Sequence, residues 1–287
     1  MLVYSSQNLS AIEKMSAIVM VAAVAVLAAL ATPARADSVW IGGSGTATAL
    51  MRLLAVAYQR QYPQDNIIVN SPLGSSGGIK ALNAGAIDVA LTGRPLRERE
   101  RSGGLAAIEF ARTPLVIAVP NTNPAVDINF TQLAALYAGT SPAWPDGNRV
   151  RVVLRIRDDS DSRTLASFSP AVALALDAAL ARPGMYIAIN DEEAAAAIVR
   201  LPGAIGTAGL AQIVAGRLPL KALALAGLPP SVEAIRSGQY PYYKRMFLVA
   251  SKAVTPATER FIRFVQSPEG ARILTANGCW VDGFKDS

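Results

Sequence analysis

The sequence contains no histidine and one cysteine, and these two scarcities remove whole classes of chemistry. Without an imidazole there is no usual metal site, no Ser-His-Asp triad and no common general base near neutrality. Cys279 stands alone near the C-terminus, so no disulfide closes within the chain and no cysteine near a leader carries a lipid. Aromatic residues make up only 6%, and the net charge of +6 is spread rather than clustered. Nucleic-acid binding asks for a basic stripe with aromatics, so no nucleic-acid partner is expected. No cofactor and no metal are expected either. Long apolar runs are scarce as well. Residues 16–31, behind Lys14, form one that is too short for a comfortable bilayer span and that leads into the small-residue site Ala34-Arg35-Ala36. Residues 1–36 are therefore expected to be a signal peptide cleaved after Ala36, and the mature protein to be soluble and periplasmic.

What the chain does have is glycine and hydroxyl side chains at the ends of apolar runs. Gly74-Ser75-Ser76-Gly77-Gly78-Ile79-Lys80 follows the strand-like Ile67-Ile68-Val69, and Ile79, Leu82 and Ala86 then recur at roughly helical spacing. Ser76 falls where a helix N-cap is expected, and the glycines let backbone N–H groups face a ligand. Unpaired N–H groups at a helix start favour an anion. Upstream, Val39-Trp40-Ile41 predicts a strand and Gly42-Gly43-Ser44-Gly45-Thr46 a second such loop. Leu50, Leu53, Leu54, Ala57 and Tyr58 predict the helix after it, ended by Tyr62-Pro63. Ile87-Asp88-Val89-Ala90-Leu91 predicts a third strand, closed by Thr92-Gly93-Arg94-Pro95. Such units build open parallel sheets, which bind ligands at the carboxyl ends of their strands.

Further on, residues 115–119 read as a buried strand and Pro120-Asn121-Thr122-Asn123-Pro124 as a crossing into a second domain. A short helix from Phe130 to Tyr137 and a strand over 150–154 lead into the polar run Arg155-Ile156-Arg157-Asp158-Asp159-Ser160-Asp161-Ser162-Arg163, from which an alanine-rich helix starts. A helix over 191–199 is capped by Asn190 or Asp191. Strands follow at Pro202-Gly203-Ala204-Ile205-Gly206-Thr207, 223–225 and 246–250, then helices at 258–265 and 268–276. Residues 38–118 with 246–287 predict one lobe, and 119–245 the other. Tyr240, Tyr242 and Tyr243 are assigned to packing at the crossing, and Trp144 and Trp280 to cores.

In order and spacing, four segments resemble the periplasmic phosphate-binding proteins of ABC transporters. They are Gly43-Ser44-Gly45-Thr46, the loop at 74–80, the strand and loop at 88–96, and the later pair Pro202-Gly203-Ala204-Ile205-Gly206 and Ser267-Pro268-Glu269-Gly270. The resemblance implies an α/β, two-lobed periplasmic binding protein fold of type II, with two crossovers and an oxyanion in the cleft. It implies a monomer that hands phosphate or a related oxyanion to an ABC transporter permease, and no enzyme activity. The implied ligand-binding residues are Ser44, Gly45, Thr46, Ser75, Ser76, Gly77, Thr92, Arg94, Arg157, Ser160, Asp161 and Ser162.

The chain departs from the family twice. The third loop there reads Arg, two or three residues, then Ser-Gly-Thr; matched from Arg157, this chain is one residue short, with Asp161 at the glycine. The phosphate binders also carry a carboxylate in the loop after the third strand, where this chain has Gly93. Asp161 either supplies the acceptor that Gly93 lacks, or points to solvent or caps the helix beginning near Ser162. Arg157, within the loop, is preferred to Arg155 at the strand end. Thr92 and Arg94 have a plainer alternative, closing a turn and pairing with a surface glutamate. Gly74-x-Ser76-x-Gly78 formally matches a hydrolase nucleophile elbow, but the serine lacks a histidine base and Lys80 lies four residues on instead of three. The other alternative is a non-transport binding or sensor module of the same fold with a different ligand.

Overall fold

A computed structural model describes residues 38–281, so the signal-peptide expectation lies outside the described residues. The first part of the chain contains β1 (Ser38–Gly43), α1 (Gly45–Gln61), β2 (Asn66–Val69), α2 (Gly74–Asn83), β3 (Val89–Thr92), α3 (Glu98–Arg101) and the long β4 (Leu105–Pro120). The middle contains β5 (Asp127–Ile128), α4 (Phe130–Ala138), β6 (Arg151–Arg155), α5 (Ser160–Ala166), α6 (Pro170–Ala181), β7 (Tyr186–Ala188), α7 (Asp191–Arg200) and β8 (Ala204–Gly209). There follow α8 (Leu210–Gly216), β9 (Leu220–Ala222), β10 (Ala224–Leu225), α9 (Val232–Arg236), β11 (Tyr243–Ser251), α10 (Pro256–Val265) and α11 (Pro268–Ala276). None of these helices is long and apolar enough to cross a membrane.

The main sheet has nine strands in the order β2-β1-β3-β11-β4-β8-β6-β7, with β9 also on β4. β1 pairs parallel with β2 and β3, and β6 pairs parallel with β7 and β8, so the carboxyl ends of both parallel sets carry the loops that start α1, α2, α5 and α7. β4 joins the sets: residues 105–114 pair with β11, and residues 115–120 pair with β8 and β9. The sequence reading recognised only the second half of this strand. Its first half carries exposed Ala106 and Ala107 and half-buried Ile108 and Glu109 before Phe110, with no alternation, a weaker signal than the apolar run after Pro114.

Each lobe has its own apolar packing. Leu50, Leu54 and Tyr58 of α1 pack with Phe261, Phe264 and Leu274 of the C-terminal helices against β1, β3 and β11. Ile79, Leu82, Phe247 and Val249 close the other face. In the second lobe Leu133, Tyr137, Leu165, Val172 and Leu176 cover one face, and Ala195, Ile198 and Ile213 the other. At Pro114/Leu115 the pairing of β4 passes from β11 to β8, and this stretch touches the segment before β11: Leu115 N–H donates to Tyr242 O (3.0 Å) and Tyr240 Oη to Leu115 O (2.8 Å).

Two helix starts differ from expectation. The alanine-rich helix is two helices, because Ser169 caps a new start at Pro170, whose fixed φ suits the first helical position. Helix α2 begins at Gly74, with Leu73 rather than Ser76 at the N-cap. Gly74 has φ +70°, a turn that glycine makes without steric penalty, so the chain enters the helix three residues earlier.

Candidate functional site

The carboxyl ends of β1, β3 and β6 converge with the starts of α2 and α7. Gly43 makes the turn out of β1: its φ is +132°, and a Cβ there would lie 2.2 Å from Leu91 O. Only glycine fits, and the turn presents Ser44, whose N–H donates to Leu91 O at 2.9 Å. At Gly45 a Cβ would lie 3.1 Å from Asp191 Cβ, so the start of α7 comes directly against this loop. At Gly93 a Cβ would face the hydroxyl oxygens of Ser160 (3.4 Å), Ser44 (3.8 Å) and Ser75 (3.8 Å). The position where the family carries a carboxylate is thus ringed by three hydroxyls from both lobes. Ser75 Oγ accepts from Gly93 N–H at 2.9 Å and ties α2 to the end of β3.

The most consequential side chain is Asp191, at the first position of α7, which Asn190 caps. Its Oδ2 accepts from Ser44 Oγ (3.2 Å) and from Thr46 N–H (3.2 Å), at the N-terminus of α1. Its Oδ1 lies 2.5 Å from Lys244 Nζ and 3.4 Å from Arg155 Nη1. The Gln212 amide donates to its backbone carbonyl at 2.9 Å. Lys244 also pairs with Asp161, and Arg155 with Asp159 (2.7 Å), whose other oxygen caps α5 by accepting from Asp161 N–H (2.9 Å). Arg155, Asp161, Asp191 and Lys244 are all buried.

Three carboxylates thus share two cations, and their protonation diverges. Burial pushes Asp191 up, but Lys244, Arg155 and the Thr46 N–H outweigh it and hold the group well below the usual carboxylate range. For Asp161, burial and repulsion from Asp191 and Asp159 win over Lys244, and its carboxyl is held above its ordinary value. Burial would lower Lys244, but Asp161 and Asp191 raise it. Several polar atoms in this cluster find no hydrogen-bond partner among the described residues: Thr46 Oγ1, Arg155 Nε and Nη1, and Asp161 Oδ2. No group of three or more His, Cys, Asp or Glu among those residues is arranged to hold a metal.

The structure brings together Ser44, Gly45, the Thr46 N–H, Ser75, Ser160 and Asp161. The others lie elsewhere or act structurally. Ser76 is exposed, one position past the hydroxyl that faces Gly93, because α2 starts early. The ideal Cβ of Gly77 would meet only the Leu73 side chain. Thr92 Oγ1 donates to Arg94 O (2.8 Å), closing the turn, and Arg94 pairs with Glu100 (2.8 Å), the plainer of the two readings weighed for them. Ser162 Oγ donates to Arg155 O (3.2 Å), bracing the loop.

Arg157 requires correction: it is exposed and paired with Asp177, whereas Arg155 is the buried arginine of the cleft. Asp161 neither faces solvent nor caps the helix; Asp159 is the cap. Asp191 and Lys244 were not singled out from sequence. Asp191 resembles any acidic residue in a first helical turn, and Lys244 sits in a strand beside Arg245 with nothing local to mark it as buried.

A family model described as a PBP superfamily domain matches residues 28–269. The phosphate-binding protein PstS of Bacillus subtilis is 24% identical over 237 residues, covering 81% of this chain and 76% of that protein. Protein SphX of Synechococcus elongatus is 26% identical over 243 residues, covering 77% and 71%. Among solved structures, one described as a phosphate ABC transporter substrate-binding protein with bound phosphate, from Clostridium perfringens, superposes with a TM-score of 0.70 at 23% identity, covering 86% of this chain and all (100%) of the other. That likeness carries the two-lobed binding-protein fold. The chain belongs to the PBP superfamily, and within it resembles the phosphate-binding substrate-binding proteins of ABC transporters.

Proposed function

We propose that this protein is an extracytoplasmic solute-binding protein that takes a tetrahedral oxyanion, phosphate first, into its interlobe cleft and delivers it to an ABC permease. It acts as a periplasmic monomer, without covalent chemistry. The observation that carries the reading is that Ser44 Oγ, Thr46 N–H, Lys244 and Arg155 converge on one pair of anionic oxygens, those of Asp191. A site that gathers hydroxyl, amide and cationic donors on a carboxylate has the donors an oxyanion needs. Ser75 and Ser160 face the same place beside Gly93. Hydrogen bonds to a charged group contribute about 1.5–3 kcal/mol each. The names of the relatives support the choice of phosphate and of a transporter as partner.

A second reading has its own observation. Asp161 and Asp191, both buried, with Asp159 paired to Arg155, make the cleft rich in carboxylate. That favours a non-transport or sensor module of the same fold. Calorimetric titration of residues 37–287 with phosphate, sulfate, arsenate, molybdate and organic phosphates separates the two. Binding of at least one tetrahedral oxyanion at millimolar concentration or below is expected. Absence of heat for all of them overturns the oxyanion reading.

A further inference from the structure

We infer that Asp191 is a built-in occupant of the oxyanion position, and that it determines how tightly this protein binds a free anion. The inference rests on the reading of the cleft as an oxyanion site. The Asp191 carboxylate accepts from Ser44 Oγ and Thr46 N–H at the start of the 17-residue α1 and ion-pairs with Lys244. These groups cannot serve a second anion at the same time. The Thr46 amide has one proton and the Ser44 hydroxyl one, each already directed at Oδ2. A separate observation points to the same spot. Arg155 is buried with Nε and Nη1 lacking hydrogen-bond partners among the described residues, and Nη1 lies 3.4 Å from Asp191 Oδ1. Nη1 thus ion-pairs with the carboxylate without hydrogen-bonding to it, and the Arg155 donor capacity is not saturated by Asp191.

Charge leads to the same conclusion. Arg155 and Lys244 already face Asp159, Asp161 and Asp191, so a dianion added beside an ionised Asp191 meets like charge at close range. An incoming oxyanion must therefore exchange with the carboxylate. The exchange also concerns closure. Asp191 starts α7, whose Ala195 and Ile198 are anchored in the second lobe, while Ser44 and Thr46 start α1, anchored in the first by Leu50 and Leu54. The contact latches the cleft with a residue of the protein itself. Apparent affinity falls by the fraction of molecules that are unlatched, so a latch engaged in about 90–99% of molecules weakens binding about ten- to a hundredfold.

The test is calorimetric titration of wild type, Asp191→Ala and Asp191→Asn with phosphate and with sulfate, near-UV circular dichroism verifying the fold. The asparagine variant keeps the shape should the alanine variant fail to fold. At least tenfold tighter binding by a folded variant than by wild type is the expected result. Binding by the variant alone also supports the occupant, while removing oxyanion capture from the wild-type protein. Equal affinities overturn the inference and leave the oxyanion reading standing. Absence of binding in every form overturns both. On unaltered protein, the ¹³Cγ resonance of Asp191 should shift when phosphate saturates; binding with no shift overturns the inference.

Discussion

Two arginines separated by one residue have opposite environments. Arg155 is the last residue of β6 and is buried between Asp159 and Asp191; Arg157 is exposed on Asp177. Arg155→Ala leaves Asp159 without its cation and Asp191 with Lys244 alone, and removing one partner of a buried pair costs about 3–5 kcal/mol. Arg157→Ala removes an exposed pair and should stay within about 0.5 kcal/mol of wild type. Urea unfolding measures the stabilities and phosphate calorimetry the affinities: the first variant should lose both and the second neither. A large loss in Arg157→Ala alone would return that residue to the cleft. Sequence could not choose between them because Val152, Val153 and Leu154 are all buried, so no alternation shows which way the strand end points.

At the scale of elements, some helix starts were legible and others were not. The helices at Phe130 and Pro268, capped by Asn129 and Ser267, begin where they were expected; the start at Pro170 behind Ser169 went unread, and the helix at Pro256 behind Thr255 begins two residues before the expected 258. The start of α2 is governed by the φ of Gly74, and this moves the cleft-facing hydroxyl from Ser76 to Ser75. Ser75→Ala should cost about 1 kcal/mol, since it leaves the Gly93 N–H without its acceptor, and should weaken phosphate binding. Ser76→Ala, on the exposed side, should leave both unchanged. Paired unfolding and titration of the two variants decides the register, and a larger effect at Ser76 would reverse it.

For the whole molecule, the division into residues 38–118 with 246–287 and residues 119–245 is our proposal for the lobes; β4 runs unbroken through the join and α8 contributes Ala211 to the core of the first. Ion pairs distributed over the molecule set its response to acid. The Arg94 hydrogen bond leads in lowering Glu100 to about 2 from 4.5. At Asp65 burial raises the pKa, but Arg260 and Tyr58 outweigh it. At Glu109, burial is likewise outweighed by Arg112 and Arg245. Asp191 is held low in the cleft. Groups lowered in the folded state bind protons more readily when unfolded, so the stability they confer is complete above their unfolded values and is lost as pH falls through the folded ones. Asp161, held high, contributes in the opposite sense, with stability present at low pH and lost as pH rises, and offsets part of the effect. The urea midpoint should therefore fall as pH is lowered, with the Glu100 share lost between 4.5 and about 2. A flat or rising midpoint below about pH 4 would show that the lowered carboxylates do not dominate.

By itself the sequence determined what is local: strand, glycine loop and helix in order, the hydroxyls placed at strand ends, several helix starts, and the exclusion of histidine chemistry. These follow from backbone sterics, capping and hydrophobic period, which act over a few residues. Tertiary structure alone decided which charges meet in the cleft. Ser44 and Asp191 are 147 positions apart, and Lys244 is 53 beyond Asp191. Their attraction exists only once the chain is folded, and burial then sets which carboxyl keeps its proton, because removing water turns each neighbouring charge into a strong and specific influence.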